Sequence, residues 1–403
     1  MRLALLTHEP FHPPSGGGSA EAAYLVRELV RRGHEVHVFA PQDEDPVGVE
    51  RGFGIRLHRF HRWRMGRYTR LRNVKYLLYP EALARMVEAR AGAAGLRFDG
   101  LLSQHTIAAV AAGRLKRRWR TPVVMNLLDY LTGFLETWPA WLMPRPVVTS
   151  LKRYELSVPG RFAADAVLTV SDTLADRLAA AGVPRERLHP IYYGYDAAAF
   201  PFREEAVARR PEAPPTLLMH GSFDQHHLGR IALEAATRVA AERPDARFEF
   251  VGPDTPAWRR FLGAAQQRGF AGRVQHTGFV PYAEVAPRLA RATVGMVPYE
   301  ESAGTHCAFV AKAVEYLAVG LPVVSTPLDS LRRYFANEPL IRFSGFDGLS
   351  FGETLLAWLR EPWPTRTRLA APAAQRIREQ LDWGVVCGHA ADVIEATCRR
   401  AAA

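Results

Sequence analysis

Lys312 and Glu315 stand three residues apart in "KAVEYLAVGLP" (312–322), where the other positions carry the apolar spacing of a buried helix and Gly320 with Pro322 stops it. A surface ion pair would explain the spacing, but so apolar a setting argues against full exposure. A cation for phosphate beside a carboxylate for paired ribose hydroxyls is what a nucleotide diphosphate requires. Just before it, "ESAGT" (301–305) reads as a polar loop whose Ser302, Gly304 and Thr305 offer an anion site near a helix N-terminus. "MHGSFDQHH" (219–227) provides a second one: Gly221 and Ser222 place N–H groups and a hydroxyl on a phosphate, and the positive end of the next helix adds attraction. His226 and His227 are adjacent, so their side chains would diverge on a helix or strand, and no metal is expected. Gly16, Gly17 and Gly18 in "SGGGS" open the first helix and let the backbone approach a ligand, without the spacing G-x-G-x-x-G. His105 follows the strand-like "GLLSQ", and Asp129 follows "PVVMNLL"; both stand at strand ends.

Those residues need a frame that gathers strand ends. "RLALLTH", "EVHVFAP", "GLLSQ", "PVVMNLL" and "AVLTVS" alternate with helical patterns, and a second series runs through "TLLMHG", "ARFEFVGP", "VQHTGFV", "VGMVPY" and "LPVVSTP". This rhythm predicts an α/β fold with two Rossmann-like, doubly wound domains facing a central cleft. Residues 1–200 form the first domain, the charged, Pro-rich 201–215 a linker, 216–380 the second domain, and 381–403 a terminal helix.

The chain has 403 residues, 52 Lys and Arg against 41 Asp and Glu, and a formal charge of +11, which favours anionic partners. Residues 56–76 hold eight Lys or Arg and no acid, interleaved with Phe60, Trp63, Tyr68 and Tyr76. A solvated basic face is one reading; contact with an anionic membrane or acceptor is another. Nucleic acid is disfavoured because no nucleic-acid-binding signature accompanies the charge. No apolar run spans a bilayer and "MRLALLTHEP" turns polar too early for a signal peptide, so a cytoplasmic protein is expected, with peripheral contact at the inner face of the membrane. Cys307, Cys387 and Cys398 are odd in number, lack metal-ligand spacing and receive no role.

The segment from Lys312 to "PVVST" resembles the donor-nucleotide region of GT-B glycosyltransferases, in particular bacterial enzymes of the family 4-like "group 1" type with the pattern K-x-x-E-Y-L-A-x-G-x-P-V-V-S-T. The resemblance extends over "THEPFHPPSGGGSAEAAYLVRELVRRGHEVHVFAP", "DAVLTVSDTLADRLAAAGVPRERLHPIYYGYDAAAF" and "LDWGVVCGHAADVIEATCRR", the last resembling a helix that returns to the first domain. It implies a hexosyltransferase-like, retaining, metal-independent enzyme without a cofactor, moving a sugar from a nucleotide diphosphate to a hydroxyl of a glycan, lipid-linked or small-molecule acceptor held by the N-terminal half. Glu315 matches the second glutamate of the family's E-x7-E, which holds the ribose, while Cys307 stands at the first and Arg230 is set later than the family's phosphate cations. His105 matches a histidine that contacts the donor sugar. Asp129 matches the aspartate of an "H-D" element whose histidine is here Leu128, and is a general base only if the reaction inverts. The rivals are a sugar-nucleotide 2-epimerase of the same fold and a non-catalytic nucleotide-sugar-binding protein.

Overall fold

The computed structural model describes residues 1–12, 17–41, 46–60, 72–208 and 214–402. The chain divides into two compact units: Met1–Thr132, Pro139–Tyr192 and Trp383–Ala403 form the first, and Gly133–Trp138 with Tyr193–Asp382 form the second. The sequence placed the first boundary at residue 200, yet residues 193–200 pack within the second unit. There the Tyr195 amide donates to the Leu381 carbonyl at 2.9 Å and Phe200 meets the ring of Tyr282. Of the segment 201–215, Glu204–Ala208 is helical and 209–213 lie outside the described residues.

The first unit contains seven strands: β1 (Arg2–Leu6), β2 (Glu35–Pro41), β3 (Arg56–Phe60), β4 (Gly100–Gln104), β5 (Val123–Leu127), β6 (Ala166–Thr169) and β7 (Leu188–Pro190). They hydrogen-bond in the order β3-β2-β1-β4-β5-β6-β7, all parallel. The second unit holds β8 (Thr216–His220), β9 (Arg247–Val251), β10 (Val274–His276), β11 (Val294–Val297), β12 (Val323–Ser325) and β13 (Ile341–Phe343) in the parallel order β10-β9-β8-β11-β12-β13. Central strands are buried on both faces, as β4 and β5 are along their whole length, which is why they read as continuous apolar runs.

Both orders reverse direction at one place: between β1 and β4 in the first sheet, and between β8 and β11 in the second. In open parallel sheets the crevice beyond the carboxyl ends of the strands at that reversal is where ligands bind. The loops delivered there carry His8 and His105 in the first unit, and Gly221, Tyr299 and Ser302 in the second.

The helix Trp383–Ala402 packs on the helix Gly17–Arg31 of the same unit. Trp383 stacks on Tyr24 with ring centroids 5.1 Å apart, and Arg32 donates to the Gly388 carbonyl at 3.0 Å and to Asp392 at 2.6 Å. All three cysteines are buried and unbridged. No helix among the described residues is long and apolar enough to cross a membrane.

Candidate active site

In the second unit, β8 ends at His220 and the chain turns at Gly221, whose φ is +96°. A side chain there would be strained and would sit 3.0 Å from Lys312 Cε, so the glycine lets the lysine reach up beneath the loop. Lys312 and Glu315 lie on the helix Ala311–Ala318 and are both buried, at 8% and 5% exposure. The two do not neutralise each other by a direct ion pair. Lys312 Nζ donates to the Tyr299 hydroxyl at 2.9 Å, while Glu315 accepts from His220 Nε2 at 2.5 Å and from the Tyr282 hydroxyl at 2.7 Å. A carboxylate has about four lone-pair directions, so two remain for a ligand's hydroxyls. Burial pulls the Lys312 ammonium down to about 8, against the opposing pull of Glu315 and Asp224. An anion arriving there regains the protonated form.

The other expected donor contacts are built differently. "ESAGT" is not a loop: Ala303–Cys307 is a short helix capped by Ser302, whose hydroxyl accepts from the Thr305 amide while Thr305 Oγ1 accepts from the Ser302 amide. Both hydroxyls are thus spent on the cap and buried. The Ala303 amide donates to Glu136 at 2.6 Å, and a Cβ on Gly304 would lie 2.4 Å from the Phe134 nitrogen, so the segment 133–138 covers this turn. Ser222 donates to Asp224 at 3.3 Å. The N-terminus of the helix Arg230–Glu242, expected to draw a phosphate, already holds Glu300, which accepts from the Ile231 amide at 2.9 Å. Arg230 is exposed and pairs with Glu234. Cys307 is fully buried.

The reason for excluding a metal at His226 and His227 does not hold. Residues 225–227 form a turn rather than a helix or strand, so the rings face each other with centroids 3.9 Å apart. Together with Asp224 they bring three ligating atoms within 4.8 Å of one another, the one such grouping among the described residues.

In the first unit, Gly17 and Gly18 begin the helix Gly17–Arg31, while Gly16 lies outside the described residues. His105 opens the helix His105–Trp119 with φ +63°, a left-handed conformation costly for a residue with a Cβ. It is 7% exposed, and its ring lies edge-on to His8 at 6.0 Å. Burial holds its pKa below the usual histidine range, against the pull of Glu9. Asp129 follows β5, and burial first, then Glu155 and Glu9, raise its pKa to about 7. Behind these loops lie two buried acids that the sequence reading missed. Glu21 accepts from Gln104 at 2.7 Å and Asn126 at 2.8 Å; Glu155 accepts from Thr106 and Thr132. Their signal was an acid inside an apolar helical stripe, as in "SAEAAYL". The basic segment is described only at its ends, as β3 and as helix backbone from Arg72; Arg62, Arg64, Arg67 and the residues between 61 and 71 lie outside the described residues.

Residues 16–194 match the family described as Glycosyl transferase 4-like domain, and residues 214–344 the family described as Glycosyl transferases group 1. The chain is thus a glycosyltransferase built of a 4-like domain and a group 1 domain, which together take up well over half of its length, and its paired parallel sheets are the GT-B fold. It is 29% identical over 163 residues to an Escherichia coli (strain K12) protein named as a colanic acid biosynthesis glycosyltransferase, WcaL; the match covers 40% of this chain and spans 39% of that relative's length. A phosphatidyl-myo-inositol mannosyltransferase of Mycobacterium leprae (strain TN) is 26% identical over 297 residues, covering 71% of this chain and 68% of the relative. Among solved structures, HepE of Anabaena in complex with UDP and glucose superposes with a TM-score of 0.72 at 16% identity, covering 98% of this chain and 99% of that one.

Proposed function

We propose that this chain transfers a hexose from a nucleoside-diphosphate donor to a hydroxyl of a glycan, lipid-linked or small-molecule acceptor, with retention and without a metal ion or cofactor. One observation carries the reading: Lys312 and Glu315 lie buried on one turn of a helix, facing the loops after β8 and β11, with Glu315 steadied by His220 and Tyr282. A buried ammonium costs desolvation that a diphosphate offsets, and a fixed carboxylate suits the two ribose hydroxyls. We assign Gly221, Ser222 and the turn Ser302–Thr305 to the leaving diphosphate, and, as the resemblance implies, Gly16, Gly17, Gly18 and His105 to contacts with donor and acceptor. Asp129 is needed as a base only if the stereochemistry inverts. The UDP and glucose named for the Anabaena structure support a UDP-hexose as the first donor to test. The names of the two relatives support a cell-envelope acceptor, and the basic, aromatic run 56–76 is the reason to propose that it is met in the cytoplasm at the inner face of the membrane.

A thermal-shift panel of nucleotides and nucleotide sugars tests this, since a ligand at 100 times its dissociation constant stabilises by about 2.7 kcal/mol. The expected result is stabilisation by one donor and its nucleoside diphosphate, with sugar transfer once an acceptor is added. Release of free nucleotide and an altered sugar without acceptor would make it an epimerase. Donor binding with neither transfer nor hydrolysis would make it a sensor, and no stabilisation by any nucleotide would overturn the donor site.

A further inference from the structure

His105 keeps a left-handed backbone that a residue with a Cβ adopts only when its surroundings over-determine it. Those surroundings are two buried carboxylates, one on each side of it in sequence. Gln104, the residue before, donates to Glu21 at 2.7 Å, and Glu21 also accepts from Asn126 at 2.8 Å. Thr106, the residue after, donates to Glu155 at 2.5 Å. The other oxygen of Glu155 accepts from the Thr132 amide at 2.7 Å and its hydroxyl at 2.6 Å, three residues beyond Asp129. Glu21 and Glu155 are each 3% exposed. Burying two acids here is costly, and a packed apolar side chain would serve plain stability better.

We infer that Glu155 is a positioning residue: its buried carboxylate ties the His105 turn to the Asp129 loop, with Glu21 bracing the other side of His105. The catalytic consequence rests on the transfer reading above, whereas the tether itself does not. Glutamine at 155 keeps the tether, because its carbonyl accepts from Thr132 while its amide donates to the Thr106 hydroxyl, which turns to accept. Leucine has a similar size and neither contact.

The experiment compares the full-length parent with Glu155→Leu, Glu155→Gln and Thr106→Val, each labelled with 13C at histidine Cα. The His105 resonance is assigned through a His105→Asn variant that serves only for assignment. Expected is a displaced His105 Cα resonance in Glu155→Leu and, in the same direction, in Thr106→Val, with the parent position kept in Glu155→Gln. In turnover, Glu155→Leu should lose about 10²-fold in kcat, as misplacement by an ångström does, with donor dissociation constant unchanged and Glu155→Gln largely restored. A parent-like His105 resonance in Glu155→Leu would overturn the tether; if that variant does not fold, the same result in Thr106→Val does so. Parent-like kcat beside a lowered melting temperature would leave Glu155 only structural and overturn its positioning role. If the parent transfers no sugar, the transfer reading fails and the resonance alone decides the tether.

Discussion

Replacing Lys312 by methionine should make the second unit more stable and the donor site useless. The folded ammonium titrates near 8 and the unfolded one near 10.5, because burial disfavours the charge. Between those values the unfolded chain holds a proton that the folded chain lacks, so stability rises with pH from about 8 to 10.5 and is at its lowest below 8. At about 1.4 kcal/mol per pH unit this amounts to roughly 3 kcal/mol at pH 7. Methionine removes that cost and also the 2.9 Å bond to the Tyr299 hydroxyl, worth about 1 kcal/mol, leaving a net gain of about 2 kcal/mol. Urea unfolding of parent and Lys312→Met from pH 7 to 10 should show the two curves converging as pH rises. Calorimetry at pH 7 should show nucleoside-diphosphate affinity falling more than nucleoside affinity, and the parent's diphosphate affinity should decline about tenfold per unit above pH 8. A variant less stable than the parent at pH 7, or equal losses for nucleoside and diphosphate, would refute the buried-ammonium argument.

Asp129→Asn should reduce turnover about 10²–10⁴-fold with donor affinity kept if the product anomer is inverted, and the parent's rate should then rise with pH through about 7; undiminished turnover with an inverted product excludes this base. Glu21, raised to about 7 by burial against its bonds to Gln104 and Asn126, makes the first unit lose stability as pH rises from 4.5 to 7. Glu21→Gln should flatten that decline in urea titrations, and an unchanged slope would show that Glu21 does not titrate there. Chelation with EDTA should leave transfer intact; if it does not, Asp224→Ala should abolish the rescue by added divalent cation, since Asp224, His226 and His227 are the grouping that fits one. Reversing Arg62, Arg64 and Arg67 to Glu should abolish sedimentation with anionic liposomes at low salt, and failure of the parent to sediment would favour a soluble acceptor.

The strands with long apolar runs were legible because double-sided burial removes alternation. "EVHVFAP" and "GLLSQ" match β2 and β4 residue for residue. Three strands escaped for the opposite reason. β3 lies inside the basic run and buries only its last residue, Phe60, and β7 and β13 are three-residue edge strands with little side chain to bury. Lys312 and Glu315 were legible as charges in an apolar helix. Their partners His220, Tyr282 and Tyr299 were not, because contacts across 95, 33 and 13 residues leave no local spacing. The capping role of Ser302 and Thr305 was the missed local signal: Ser-x-x-Thr ahead of a turn reads equally as an anion loop or as a helix start.

The helix Trp383–Ala402 has a consequence for the order in which the molecule is made. During synthesis residues 1–192 emerge while the surface for Trp383 on Tyr24, and the place of Cys398 against Gly100, stay uncovered. They wait until residues 193–382 have been added, ~10–40 s at ordinary elongation rates. The second unit needs only Gly133–Trp138 from upstream, so all its parts are out of the ribosome before the first unit's last helix. A nascent chain therefore holds an open seam on the first unit while residues 193–382 are added, and a helix made after the second unit closes the body made before it.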